Sequence, residues 1–370
     1  MYIAQKKLKK DFNILFTVTL TLIIVGILFI YSSSSVFALE KHGSALYFVK
    51  KQLIGLLAGA LGYALFRYVP LETIKKSSPY FFIGSLFLTA LTVISSFGHK
   101  IHGSSRWLQL GKVGLQPSEL LKVSLILYAA YFLTKKEKMH PTIWQTYIPL
   151  LVIIGLPSIL LLKQPDFGMT VTLACTTLIM FFVIHFNLMY IAISVAALVP
   201  LTLSLIYFQP YRLQRIMTFL NPWADPQGSG FQIIQSLIAI GSGSFLGTGV
   251  AHSKQKFFYL PMQHTDFIFS IIAEETGFIG SVLLIALYII FLYYGIAIAL
   301  RLQSLFCSLA TLGFIVVTSL QTVMNLAVVT GLVPTKGVGL PFVSYGNSAL
   351  VCGLCMIGFI SNCVNQPQNY

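Results

Sequence analysis

Acidic residues are scarce in this chain. Only ten Asp and Glu stand among 370 residues, and all charged residues together make up 9%. A soluble domain carries about a quarter charged residues, so a water-facing globular surface is excluded. Cysteine is scarce as well. The five present, Cys175, Cys307, Cys352, Cys355 and Cys363, all fall in apolar segments, which argues against a disulfide framework. Cys352 and Cys355 have a redox or metal spacing. No partner CxxC or His lies near them in sequence, so packing is the better reading. HExxH and clustered His or Cys are missing too, and no metal site built from protein ligands is expected.

What the chain has is apolar length. It is 56% hydrophobic, with a mean hydropathy of +0.83. This reads as an all-α integral membrane protein, one polytopic domain over residues 1–370. About ten transmembrane helices are expected near 12–31, 47–66, 80–96, 117–134, 147–162, 168–184, 187–207, 267–295, 303–330 and 344–363. The first run has about the ~20 residues a bilayer crossing needs. No Ala-x-Ala-like site follows it, so it reads as a span and not as a removed signal peptide. No internal repeat is evident, which gives an inverted-repeat transporter no support.

The net charge is +14. A basic excess suits nucleic acid, anionic lipid or an anionic substrate. Nucleic acid is excluded because the basic residues are scattered over short loops. Four lysines in YIAQKKLKK precede the first span and place the N-terminus in the cytoplasm. An even span count then puts the C-terminus there as well. With these four included, the basic residues outside the spans divide nearly evenly between the two sides, 11 inside and 12 outside. An anionic ligand on the outer face would account for the outer ones.

Between spans seven and eight lies a long extracytoplasmic loop, 208–266. NPWADPQGSG turns repeatedly. FQIIQSLIAI has helical apolar spacing but is too short to span, so a re-entrant or interfacial helix fits.

Ionisable groups in or beside spans are functional candidates. Glu119 and Lys122 are three apart on one helix face, as an ion pair or as ligand contacts. Arg106 and Trp107 in SSRWLQLG stand at the outer surface, Trp107 as an interfacial anchor or a sugar platform. Asp166 in KQPDFG suits a helix cap. Arg212 and Arg215 suit phosphate or snorkelling. Lys336 sits in a Pro- and Gly-rich outer loop. FFYLPMQHTDFIFSIIAEETGFIG holds three of the ten acids. Asp266, after Pro261 and His264, falls at the mouth of span eight. Glu274 would lie ~12 Å deeper and about 80° around the helix, and Glu275 nearly opposite Asp266. That spacing suits a single base better than a closely spaced carboxylate pair.

In order along the chain stand SSRWLQLG, QPSELLK, QPDFG, NPWADPQGSGFQIIQSLIAIGSGSFLGTG, KQKFFYLPMQHTDFIFSIIAEETG and GLVPTKGVGLPFVSYGNSAL. Together they resemble the SEDS family (shape, elongation, division and sporulation) over nearly the whole chain. PTKG and NPWADPQGSG are worded as in its cell-division branch, SIIAEE more as in its elongation branch. Two positions depart from the family: Met262 stands where most members have Glu, and Asn347 where most have Gly.

The resemblance implies a peptidoglycan glycosyltransferase of the cytoplasmic membrane. It would join lipid II units into β-1,4 strands during septal wall synthesis. Asp266 maps onto the family's essential aspartate and would be the catalytic base. Arg106, Trp107, Glu119, Lys122, Asp166, Arg212, His264, Lys336 and Ser344 are candidates for substrate binding. Glu274 is a weaker one that more readily orders span eight. A divalent cation, Mg or Mn, could share the substrate diphosphate. The chain has no large outer domain with a Ser-x-x-Lys motif. The family therefore points to a class B penicillin-binding protein as cross-linking partner, beside other divisome proteins and membrane lipids. The rivals are a lipid II flippase, an elongation-type polymerase and a non-catalytic scaffold.

Overall fold

The structure is a computed structural model. It describes residues 2–94, 98–101, 104–110, 113–137, 143–184, 210–256 and 260–366, with single positions 189, 193 and 196. The span expected at 187–207 lies almost wholly outside the described residues.

Eleven α-helices are described. They are α1 (Tyr2–His42), α2 (Tyr47–Tyr68), α3 (Leu71–Leu91), α4 (Pro117–Glu137), α5 (Ile143–Lys163), α6 (Phe167–Ile184), α7 (Pro210–Leu220), α8 (Phe231–Ser242), α9 (Ile268–Arg301), α10 (Leu305–Val329) and α11 (Asn347–Asn365). Among the described residues α1, α2, α6, α9, α10 and α11 are long and apolar enough to cross a membrane, which makes this a multi-pass membrane protein. The helical frame agrees with the hydropathy because a bilayer leaves backbone groups no partner except their own helix. α1 is longer than the 12–31 run at both ends. It takes in the N-terminal lysines and continues through the serine run 32–35 to His42.

Small residues bring two helices close. Along one face of α2, Gly55, Gly59 and Gly62 meet Asn347, Leu354 and Cys355 of α11. Without a hydrophobic driving force between spans, such close approach supplies the packing. α1 packs on α9, α9 on α10, and α3 on α4.

The all-α expectation omitted one element. Between α3 and α4 lies an antiparallel sheet of β1 (Gly98–Ile101), β2 (Ser104–Leu110) and β3 (Val113–Leu115), in that order. SSRWLQL is thus a strand and not a loop. Alternation along β2 puts Arg106 and Leu108 on one face and Trp107 on the other. Trp107 packs over Gly114 of β3.

In the 208–266 segment, Asp225 organises the NPWADPQGSG turns. Its carboxylate accepts the Gly228 and Ser229 amides at 3.0 and 2.7 Å, bonds that hold its pKa below the usual carboxylate range. The short helix expected after it is α8.

α9 is not one continuous helix. Gly277 has φ 66° and ψ −160° and breaks it. The loop after α8 fills the break. Phe278 and Ile279 donate their amides to Ser244 and Phe245, and Thr248 and Gly249 donate theirs to Glu274 and Glu275. A side chain at Gly247 or Gly277 would collide with the opposing backbone, so glycine is required at both.

Candidate active site

Segments far apart in sequence converge on one cavity of about 1660 Å³. They include β2, the turn before α6, the turn before α9 and the loop before α11. Its wall carries Lys41, Arg106, Lys122, Lys163, Arg215 and Lys336 against only Glu119, Asp166 and Asp266. Such an excess concentrates an anionic ligand.

Asp266 is fixed through its backbone. The His264 carbonyl accepts the Tyr345 amide at 3.0 Å. The Thr265 carbonyl accepts the Ser344 hydroxyl at 2.6 Å. The Asp266 carbonyl accepts the Asn325 side-chain amide at 2.7 Å, and the same amide donates to the Val338 carbonyl at 2.8 Å. Three successive carbonyls are therefore tied to the loop before α11 or to α10, while the Asp266 carboxylate makes no hydrogen bond among the described residues. Burial raises its pKa to about 6, Arg106 and Arg215 pull it down, and Asp166 pushes it up. Gly337 is the spacer between cation and acid. A methyl group there would stand 3.3 Å from an Arg106 terminal nitrogen and 3.4 Å from Asp266 Oδ2.

Arg106 docks on the turn before α6. It donates to the Gln164 and Pro165 carbonyls at 3.2 and 2.6 Å, and its Nε lies 3.7 Å from Asp166 Oδ2. Asp166 also caps α6, accepting the Met169 amide at 3.2 Å. Burial pushes its pKa up and Glu119 adds to this, against the pull of Arg106 and the Met169 amide. The cap and the cavity wall are thus one residue. Lys336 stands over the Phe167 ring, its Nζ 4.8 Å from the centroid. Burial lowers its pKa, and Arg215 adds to the effect.

Glu119 and Lys122 are buried and paired at 2.5 Å. Lys122 also donates to Gln321 Oε1 at 3.2 Å. They line the inner part of the cavity, so the ion-pair reading and the cavity reading hold together. His264 is buried against Phe48, the ring centroids 4.3 Å apart. Burial lowers its pKa to about 4, so the imidazole is neutral at pH 7. Trp107 is half-buried on the cavity wall.

Of three further candidates, one lines the cavity with its hydroxyl engaged, one lies off the wall, and the side chain of one falls outside the described residues. Ser344 lines the cavity, but its hydroxyl is already engaged, donating to Thr265 and accepting the Leu340 amide at 2.7 Å. It shapes the wall. Glu274 is not on the cavity wall. It accepts the Lys254 amide at 2.8 Å and the Ser253 hydroxyl, because the loop after α8 folds back over the break in α9. Arg212 lies in the first turn of α7 with its side chain outside the described residues. Its neighbour Arg215 reaches the wall and donates to the Thr335 carbonyl at 2.6 Å.

Two residues of the site went unread in the sequence, Gln321 on the cavity wall and Asn325 behind it, holding the Asp266 and Val338 carbonyls. Both are amides inside an apolar span, four apart on one face of α10, and that spacing was the available signal.

The chain matches the sequence profile of the FtsW/RodA/SpoVE cell cycle proteins over residues 12–369. It is 42% identical to the probable peptidoglycan glycosyltransferase FtsW of Trichlorobacter lovleyi, over 91% of this chain and 88% of that one. It is 38% identical to the stage V sporulation protein E of Bacillus subtilis, over 99% and 100%. Among solved structures it superposes with TM-score 0.77, at 28% identity, over 95% of this chain and 96% of a chain from a peptidoglycan synthase complex that coordinates polymerization and crosslinking. Against the rod shape determining protein RodA of Thermus thermophilus the TM-score is 0.67 at 25% identity, over 96% and 97%. With a profile match over nearly its whole length and relatives at 38–42% identity, this chain belongs to the FtsW/RodA/SpoVE family of cell cycle proteins.

Proposed function

We propose that the chain is a peptidoglycan glycosyltransferase that polymerises lipid II into β-1,4 glycan strands, and that the cavity around Asp266 is its active site. One observation carries the assignment of the site. A backbone-clamped carboxylate with a pKa of about 6 faces a wall rich in cations. Joining two lipid-linked saccharides needs a base at the attacking hydroxyl and positive charge at the leaving diphosphate. Asp266 is ionised at pH 7 and more basic than an ordinary aspartate. It takes the proton of the acceptor 4-hydroxyl as that oxygen attacks the donor anomeric carbon. The bond to the diphosphate breaks with inversion, turning an α-linked donor into a β-linked product. Arg106, Arg215 and Lys336 receive the charge of the leaving diphosphate, and Lys122 with Glu119 holds the inner wall.

Among the described residues no three His, Cys, Asp or Glu side chains converge to hold a metal. A divalent ion, Mg or Mn, would fit with Asp266 or Asp166 as its protein ligand and substrate phosphate oxygens filling the shell. It would supply added charge at the diphosphate.

The reading includes ten spans in one membrane domain, with 208–266 outside and both termini cytoplasmic. It also includes work at the division septum beside a class B penicillin-binding protein. The similarity to a chain of a peptidoglycan synthase complex supports such a partner. Polymerisation of lipid II by the purified protein with its partner, read on a gel, tests the site. Strands from wild type and none from Asp266→Asn are expected. Full polymerisation by Asp266→Asn would remove the base assignment. Translocation of lipid II across vesicles without polymerisation would make the protein a flippase.

A further inference from the structure

The cations nearest Asp266 come from β2, α7 and the loop before α11. Another part of the wall has a different chemistry. There Phe37, Lys41, His264 and Tyr345 line the cavity, and the rings do not end at its mouth. Tyr47 and His42 continue them outward, stacked face to face at 3.8 Å with an interplanar angle of 12°. Lys51 stands over the Tyr47 ring at 4.6 Å, and Lys41 over Phe37 at 5.3 Å.

A single buried ring holds this arrangement together. Phe48 touches His42, Tyr47, His264 and Tyr345, with centroids 5.7, 5.2, 4.3 and 5.1 Å away. Rings from the end of α1, the start of α2 and the turns before α9 and α11 thus meet on one support. Aromatic residues that only anchor a protein at a membrane interface stand singly along a belt. These form a continuous ridge from a polar cavity to the exposed His42. His264 is buried, and its Nδ1 has no hydrogen-bond partner among the described residues.

We propose that this ridge is a saccharide subsite that holds the growing glycan strand as it leaves the cavity. A pyranose ring offers an apolar C–H face that packs on the exposed side of the His42–Tyr47 stack, and a rim of hydroxyls that pairs with imidazole, phenol and the Lys41 and Lys51 ammonium groups. A ridge running beyond the cavity accommodates more than one sugar ring, as a strand needs and a single unit does not. The inference rests on the polymerase reading above.

The test is strand length at equal lipid II conversion, measured with the full-length protein and its partner. His42→Ala combined with Tyr47→Ala is expected to shorten the mean strand about threefold or more. Tyr47→Phe keeps the ring and is expected to keep the length. A soluble GlcNAc–MurNAc tetrasaccharide is expected to inhibit wild type and to inhibit the double variant less. An unchanged length distribution in the double variant would overturn the subsite. So would equal shortening by Tyr47→Phe, or equal inhibition of both proteins by the tetrasaccharide. If wild type and Asp266→Asn behave alike, the polymerase reading itself fails. If they differ while the ridge variants match wild type, only the subsite does.

Discussion

Asp266 and the Glu274–Glu275 pair are eight residues apart in one short stretch, yet they are held in opposite ways. Glu275 has its oxygens filled. It accepts the Ser32 hydroxyl at 2.6 and 2.8 Å and the Ala251 and Ser253 amides at 2.9 and 3.3 Å, with Lys256 3.6 Å away. Glu274 is filled by Ser253 and Lys254. Asp266 has its peptide carbonyl and its neighbours' carbonyls tied down, while its carboxylate faces the cavity. A structural acid has its oxygens satisfied. A reactive one has its backbone satisfied and its oxygens left for substrate.

Breaking that contrast should give graded effects. The largest is Asp266→Asn, which keeps shape and loses basicity. A loss of ~10²–10⁴ in polymerisation rate is expected, with an unchanged melting temperature in detergent. Glu275→Ala should do the reverse. It strips a buried ion pair of one partner, so a stability loss of about 3–5 kcal/mol is expected, visible in the detergent melt. Asn325→Leu comes next. It leaves the Asp266 and Val338 carbonyls unpaired, at ~1–3 kcal/mol each, and frees the base from the loop that carries Lys336. The expected result is a tenfold or larger fall in kcat on the order of that loss, with KM less affected. Arg106→Gln removes one of three cations at the leaving diphosphate, so the rate should fall at neutral pH while Arg215 and Lys336 keep part of it, and the pH profile should change as well. Protonated Asp266 cannot accept a proton, so the rate should fall as pH drops through about 6. Arg106 favours the ionised form, and removing it should move that acid limb upward.

Much of the frame was legible. The runs at 47–66, 117–134 and 344–363 became Tyr47–Tyr68, Pro117–Glu137 and Asn347–Asn365, because hydropathy follows from the solvent each segment sees. Asp266, Arg106, Lys122 and Lys336 were legible too, as charges that a membrane protein does not hold without reason. Contacts across sequence were not. Glu274 looked like part of a span because its partners, Ser253 and Lys254, belong to a loop with no hydropathy signature. The β2 strand was read only as a motif because a short strand outside the bilayer carries little period. That Arg215 reaches Thr335 depended on how α7 is turned, and an amphipathic pattern does not specify its neighbour.

The break at Gly277 also bears on how the protein enters its membrane. Upstream of it, residues 268–276 rise only about 14 Å as helix, too short to cross. Downstream, residues 278–301 rise about 36 Å, enough for a complete crossing, and carry no charge before Arg301. Phe278 and Leu283 on this part are exposed, as lipid contact requires. An insertion machinery sorting segments by polarity would therefore count the span from Phe278 onward. Counted that way, both glutamates fall outside the crossing segment and need never be dehydrated in lipid while the nascent chain is being threaded.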